Sequence, residues 1–505
     1  MEDAQAPERA PQTPVADPHA PTHSDATAAQ ASDDARSLPV ATTSRGEVRG
    51  RAADGVHRYL GIPYAKPPFG SLRFAAPEPA AAWVTTLDAA EFGPTAPQSP
   101  YRGDLGELIK VPAIEGSDIL TVNVWAPADA ADAPVVLWLH GGGLERGAAA
   151  QSGYDGSTFA RDGIVFVSAN YRLGAEGFSV LDGAPLNLGL RDAQLALEWV
   201  HREARAFGGD PSRITIMGES AGGALVAAIL ARPASRALVA GAIIQSGPLD
   251  AVDQAKARRA SDAIAKRLGI PATQAAFAAT EPSEILRART EIAAGSSPLN
   301  GAPGYTLAVD PGSLPASPAE ALVDAGVPVL IGTNTDEYRL WFTPEALSGI
   351  TAVKGWLARL VMKVPGRAAR AVREAFPGAS PGEQLGQIVT DRLLRAPASR
   401  LARARKAPTF VYEFAWESPV RDLRAAHALD IAFAFDLLDD PDALRLNGDA
   451  APAALGREMH AAWVSFIRDG DPGWPAYGAE RTTRVLAESS ATVPQRRAAV
   501  IDALG

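Results

Sequence analysis

Residues 214–230, ITIMGESAGGALVAAIL, set a serine between glycines where an apolar, β-favouring run gives way to the helical spacing of Leu225, Val226, Ile229 and Leu230. A sharp strand-to-helix turn leaves no room for Cβ atoms beside the serine, which accounts for Gly218 and Gly222. It also lifts Ser220 Oγ clear of the sheet, beside the positive end of the following helix. A hydroxyl so placed suits nucleophilic attack. A bare Gly-x-Ser-x-Gly also fits a glycine-rich turn with a capping serine, but the strand before and the helix after favour the nucleophile.

Such a serine needs a base, and the base an orienting carboxylate, in the chain order serine, acid, histidine. Of the seven histidines, only His427 and His460 follow Ser220 with an acid candidate between them. His460 lies in LGREMHAAWVSFI, whose apolar residues recur at helical spacing, so it reads as a helix-surface or partly packed side chain. His427, in RAAHALDIAF after the strand-like TFVYEFAW, suits a loop at the sheet's edge and is preferred. The acid belongs where a central strand ends, and VPVLIGTNTDEY supplies Asp336 and Glu337; the pattern does not choose between them.

Acyl transfer also needs donors aimed at the developing oxyanion. Gly141, Gly142 and Gly143 follow the strand-like VVLWLH, where residues without side chains can turn backbone N–H groups toward one point, and Ala221 supplies another. A phosphate cradle is excluded because no Lys-Ser/Thr pair follows the glycines.

These residues must be held by a large frame. The 505-residue chain is 47% hydrophobic and carries a formal charge of -10, which argues against a nucleic-acid partner. With no cysteine, a disulfide framework, a thiolate nucleophile and a Cys-ligated zinc are all impossible. Residues 1–38, rich in Ala, Pro and Asp, read as an unstructured acidic tail without a signal-peptide core. No apolar run approaches the roughly 18 residues of a membrane span, so a soluble, cytoplasmic protein is expected.

From Leu38 to Phe92 short strands and turns predominate, with ATTSRGEVRG and VHRYLGIPYA as candidate hairpin arms, and DILTVNVWAP adds an alternating strand. Beyond it, apolar strands alternate with amphipathic helices: PVVLWLHGGG, GIVFVSANYR, DAQLALEWVHREARAF, RITIMGES, VAGAIIQSG and VPVLIGTNTDE. That alternation predicts an α/β domain over 39–505, with a mainly parallel sheet, antiparallel N-terminal strands and helices on both faces. Residues 251–295 and 350–405 read as helical insertions covering the sheet's C-terminal edge.

With these residues in view, the chain resembles the type B carboxylesterases, the family of bacterial para-nitrobenzyl esterases and the cholinesterases. The ordered matches run over roughly residues 40–490: GIPYAKPPFGSLRF, SDILTVNVW, LHGGG, NYRLG, FGGDPSRITIMGESAGG, QSG, GTNTDE, AAHALD and WVSFIRDGDPGWPAY. The resemblance implies an α/β-hydrolase fold with Ser220 as nucleophile, Glu337 as acid and His427 as base. Gly142, Gly143 and Ala221 would form the oxyanion hole, and Ser246 matches a second serine near the triad, though a turn or cap after a strand also fits it. The implied activity is hydrolysis of a small-molecule carboxylic ester through an acyl-enzyme. It needs no metal or organic cofactor, and no nucleic-acid or membrane partner; a monomer or weak homo-oligomer is expected. The same triad could cleave an amide, carbamate or thioester. A non-catalytic scaffold of this fold is disfavoured because every triad position is filled.

Departures from the family are specific. Ala96 and Ile119 stand where relatives often carry a disulfide, consistent with a reducing compartment. Ser117 replaces a usual Glu, Leu144 an aromatic after the glycine run, and Tyr338 a Gly after the acid; the last two bear on pocket shape. The loop 96–119 lacks the Trp that holds quaternary ammonium in cholinesterases, and Tyr101 is a poor substitute, so choline esters are not expected substrates.

Overall fold

The apolar runs become strands because β-branched and large aliphatic residues fit a pleated surface buried on both faces. The computed structural model describes residues 38–294 and 303–504. Its strands are β1 (Val40–Thr43), β2 (Gly46–Arg49), β3 (Arg51–Ala53), β4 (Val56–Pro63), β5 (Leu87–Asp88), β6 (Thr121–Pro127) and β7 (Ala133–Leu139), then β8 (Val165–Ala169), β9 (Gly209–Glu219), β10 (Gly241–Gln245), β11 (Val329–Asn334), β12 (Thr409–Phe414), β13 (Thr482–Leu486) and β14 (Ala491–Pro494). Eleven of them form one twisted sheet in the order β3-β4-β6-β8-β7-β9-β10-β11-β12-β13-β14. From β8 to β13 all neighbours pair in parallel, and antiparallel strands flank both ends.

Side-chain alternation along β7 divides the core. Val135, Leu137 and Leu139 join Leu197, Leu225 and Ile229 on one face, which the helices Leu188–Glu203 and Ala221–Ala231 cover. Val136 and Trp138 join Phe433, Met459 and Trp463 on the other, under the helix Ala453–Asp469. The fold is therefore the expected α/β-hydrolase arrangement, a mostly parallel sheet with helices on both sides.

One local expectation is corrected. ATTSRGEVRG is not one arm of a hairpin but a complete hairpin, β1 pairing with β2 in a separate three-stranded sheet with β5. Thr43 closes its turn, accepting from Arg45 N at 3.2 Å and donating to Gly46 O at 2.7 Å. VHRYLGIPYA instead pairs with β3 and β6. The tail expected over 1–38 lies, Leu38 apart, outside the described residues.

Within the first segment expected to be an insertion lie the helices Gln254–Leu268, Gln274–Ala278 and Pro282–Ala294, its last residue being outside the described ones. Within the second lie Ala352–Val361, Gly366–Ala375, Pro381–Thr390 and Ala396–Ala404. Among the described residues no helix is long and apolar enough to cross a membrane.

Candidate active site

Three adjacent parallel strands deliver the site at their C-terminal ends. β9 ends at Glu219, paired with Gln245 of β10, and Gln245 pairs in turn with Gly332 of β11. The residues just beyond these ends are Ser220, Ser246 and the turn to Glu337, so the ladder register fixes their relative positions.

Ser220 sits at φ 55°, ψ −120°, a conformation that costs a non-glycine residue on the order of 1–3 kcal/mol and persists only because its surroundings enforce it. Its N–H donates to Gln245 O at 2.9 Å, and its carbonyl accepts the Ala224 N–H at 2.9 Å, opening the helix Ala221–Ala231. The helix can start here because Gly222 lies against β7: a Cβ on Gly222 would stand 1.9 Å from Leu139 O.

Glu337 is buried at the start of a 3-10 turn after β11. Its Oε1 accepts from Asn334 N at 2.8 Å and from Ser246 Oγ at 2.7 Å, and its Oε2 lies 2.6 Å from His427 Nδ1. The His427 backbone N–H reaches Glu337 O at 3.3 Å, and Asn334 Nδ2 donates to Ala426 O at 2.7 Å, tying the histidine's loop to the end of β11. Trp341 covers the imidazole with ring centroids 4.7 Å apart.

His427 Nε2 lies 3.0 Å from Glu219 Oε1, off the line of a hydrogen bond, so the imidazole is held between two buried carboxylates. Burial disfavours its charged form, but Glu219 and then Glu337 outweigh burial and hold its pKa well above the ordinary imidazole value. Burial pushes the Glu219 carboxyl up, against the pull of His427. Beneath them Asp430, pushed up by burial, accepts from Gln245 Nε2 and Tyr412 OH at 2.9 Å and from Asn334 Nδ2 at 3.2 Å.

Sequence reasoning did not single out Glu219, Asp430 or Asn334. Glu219 stands inside the Gly-x-Ser-x-Gly motif and Asp430 three residues after His427, and nearness to the motif was the signal available. The alternatives separate by contact. The Asp336 side chain forms no hydrogen bond or ion pair with His427; burial pushes its carboxyl up, against the favourable charges of Arg497, Arg339 and Arg424. His460 is buried on the helix Ala453–Asp469, its Nδ1 2.8 Å from Ala434 O and its Nε2 3.0 Å from Asp162 Oδ2.

The glycine turn faces Ser220. Gly142 has φ +110°, and a Cβ there would stand 2.0 Å from Arg146 O. The N–H groups of Gly142 and Gly143 donate to no backbone carbonyl or side chain among the described residues, and Ala221, first in its helix, has no intrahelical acceptor. His140 braces the turn: its Nδ1 is 2.8 Å from Gly141 O, its ring stacks on Tyr171 at 4.5 Å, and burial lowers its pKa to about 4.

Ser220, Glu219, His427 and the three glycines line one cavity of about 650 Å³, within the range of small-molecule sites. Leu105, Ile109, Val111, Ile285, Leu340 and Ile431 give it mostly apolar walls. A charged strip interrupts them: Arg289 Nη2 meets Glu145 Oε1 at 2.5 Å, and Arg146 Nη1 meets Glu145 Oε2 at 3.3 Å. The helix Pro282–Ala294 reaches the cavity, whereas residues 350–405 contribute nothing to its lining. Leu144 and Tyr338, expected to shape the pocket, are buried away from it. Tyr101 does line it, but the Arg146 guanidinium stands over its ring at 5.0 Å. Ala96 and Ile119 are buried in the core.

Comparison with known proteins identifies the family. Residues 37–493 match the model of the Carboxylesterase family. The para-nitrobenzyl esterase of Bacillus subtilis (strain 168) is 35% identical over 476 residues, covering 90% of this chain and 96% of that one. The phenmedipham hydrolase of Pseudarthrobacter oxydans is 35% identical over 480 residues, covering 88% and 93%. The solved structure of a thermophilic PNB esterase superposes with a TM-score of 0.82 at 33% identity, over 93% of this chain and all of that one. The family match, the relatives and the superposition together show that the chain belongs to the carboxylesterase family and is a serine hydrolase that cleaves carboxylic esters.

Proposed function

We propose that ester cleavage runs through Ser220, His427 and Glu337. The observation that carries this reading is the 2.6 Å contact of Glu337 Oε2 with His427 Nδ1 in a cavity that Ser220 also lines. Neutral His427 takes the hydroxyl proton through Nε2 as Ser220 Oγ attacks the carbonyl carbon, and Glu337 fixes the tautomer and stabilises the imidazolium. The N–H groups of Gly142, Gly143 and Ala221 receive the oxyanion. Collapse of the tetrahedral intermediate expels the alcohol with the proton from His427; water, activated by the same imidazole, then releases the carboxylate and restores Ser220.

Ser246 serves as a positioning residue for Glu337. The cavity suits a compact ester with an apolar acyl or aryl group. The protein is read as cytoplasmic and as a monomer or weak homo-oligomer, with no nucleic-acid partner. Initial rates on para-nitrophenyl esters from acetate to decanoate, with Ser220→Ala as control, test the assignment. Turnover and organophosphate labelling should vanish in the variant; labelling that persists in Ser220→Ala would overturn it.

A further inference from the structure

The helix Ala352–Val361 presents an apolar stripe to solvent. Val353, Trp356, Leu357, Leu360 and Val361 recur at helical spacing, and all are exposed, Trp356 at 56% and Leu360 at 61%. Its buried side, at Gly355, packs on the helix Pro381–Thr390. Large apolar side chains aligned in this way on one helix lose free energy to water and call for a cover.

Charge identifies the cover. Residues 351–376 hold six basic side chains, Lys354, Arg359, Lys363, Arg367, Arg370 and Arg373, against the single acid Glu374, in a chain whose formal charge is -10. Among the described residues none of the six is in an ion pair. Lys354 and Arg359 lie on this helix and Lys363 follows it directly, so a two-fold pairing of copies through it would bring like charges together. Trp and Leu on one side of a helix, with Lys and Arg around them, is the pattern of a helix lying in the headgroup region of an anionic bilayer.

We infer that the helix Ala352–Val361 docks the protein on an anionic lipid surface, with Trp356 and Leu360 entering the acyl boundary and the flanking cations meeting lipid phosphates. This is peripheral adsorption, which needs no spanning helix, and it departs from the expectation of no membrane partner that the family resemblance implied. The helix Pro381–Thr390 packs both on this docking helix and on the turn Glu337–Leu340. Trp341, next in the chain, is 52% exposed and lines the catalytic cavity, so a single helix links the docking helix to the element that carries this part of the cavity wall. The docking does not depend on the triad assignment.

The test is flotation of the full chain with vesicles of phosphatidylcholine containing roughly one third phosphatidylglycerol, against pure phosphatidylcholine. The protein should float with the anionic vesicles, release as salt rises, and bind the neutral ones poorly. Trp356→Asp with Leu360→Asp should weaken binding at least about tenfold while turnover of soluble para-nitrophenyl acetate stays at the wild-type rate, which also reports an intact fold. Lys354→Glu with Lys363→Glu should remove the preference for anionic vesicles. The inference is overturned if the wild type does not float. It is also overturned if the charge variant binds as before, or if the Asp variant changes only the oligomeric state, which would make the face a contact between copies.

Discussion

Replacing Gly222 by alanine isolates what the serine turn requires. A Cβ at this position would stand 1.9 Å from Leu139 O, 2.7 Å from His140 O and 2.7 Å from Leu139 C, all backbone atoms of the neighbouring strand end. The shortest gap falls 1.1 Å short of the 3.0 Å that real Cβ contacts respect, and no side chain can swing away to supply it. The helix Ala221–Ala231 must therefore move off β7 by about 1 Å, carrying the N–H of Ala221 and the strained backbone of Ser220 with it. A displacement of that size at a reacting centre costs on the order of a hundredfold in rate, and overpacking of this kind costs about 1–3 kcal/mol in stability. Gly143, at φ +65° with open space around its Cβ position, is the control. Gly143→Ala has only backbone strain to absorb, about 1 kcal/mol, and should fold with a near-native denaturation midpoint. The assay is kcat on para-nitrophenyl acetate for both variants, with far-UV circular dichroism and urea unfolding to confirm folding. A folded Gly222→Ala enzyme with wild-type kcat would refute the claim that this helix-to-strand approach sets the geometry of Ser220.

Three further predictions follow from the buried charges. In the proposed mechanism His427 must be neutral to act as a base, and Glu219 helps to raise its pKa; Glu219→Gln should therefore move the acid limb of the kcat/KM profile to lower pH, and an unmoved limb would remove Glu219 from the site's electrostatics. Ser246→Ala deletes one of the two donors to Glu337 Oε1, which should cost about 1.5–3 kcal/mol by urea unfolding and lower kcat by less than about tenfold, because Asn334 N and His427 still hold the carboxylate. His140 has its folded pKa lowered to about 4, so the unfolded chain binds a proton first as pH falls. Its contribution is intact above the unfolded value near 6.5 and lost between there and 4, by about 3 kcal/mol in total; unfolding curves at pH 7 and pH 5 should converge less steeply in His140→Asn than in the wild type.

The sequence was most legible where function is written locally. Gly-x-Ser-x-Gly between a strand and a helix announces its turn because the sterics involve neighbouring residues only. The alternation of apolar runs with helical spacing likewise predicts a parallel sheet with two covered faces. Asp336 and Glu337 were inseparable by pattern because both leave the same strand end, and what divides them is distant in sequence: His427 stands 2.6 Å from Glu337 and makes no hydrogen bond or ion pair with the Asp336 side chain. Glu219 was invisible for a related reason. Its side chain meets His427 only after β9 and the loop following β12 are brought together. The hairpin over residues 40–49 was misjudged because its two arms are only four residues each, too short for alternation to reveal the turn between them.

The delivery of the site by neighbouring strands also has a consequence for the order of assembly. Ser220 follows β9, Glu337 follows β11 and His427 follows β12, strands spread over roughly two hundred residues, and none of these pairings is a local hairpin. A growing chain that has emerged only as far as β12 holds Ser220 and Glu337 of the proposed triad but not His427. Hydrolytic activity is therefore a late signal: in refolding it should trail the recovery of helical circular dichroism. It reports that β12 has docked on β11 and brought the loop after it to the site, which makes turnover a more stringent gauge of native assembly than a spectroscopic measure of secondary structure.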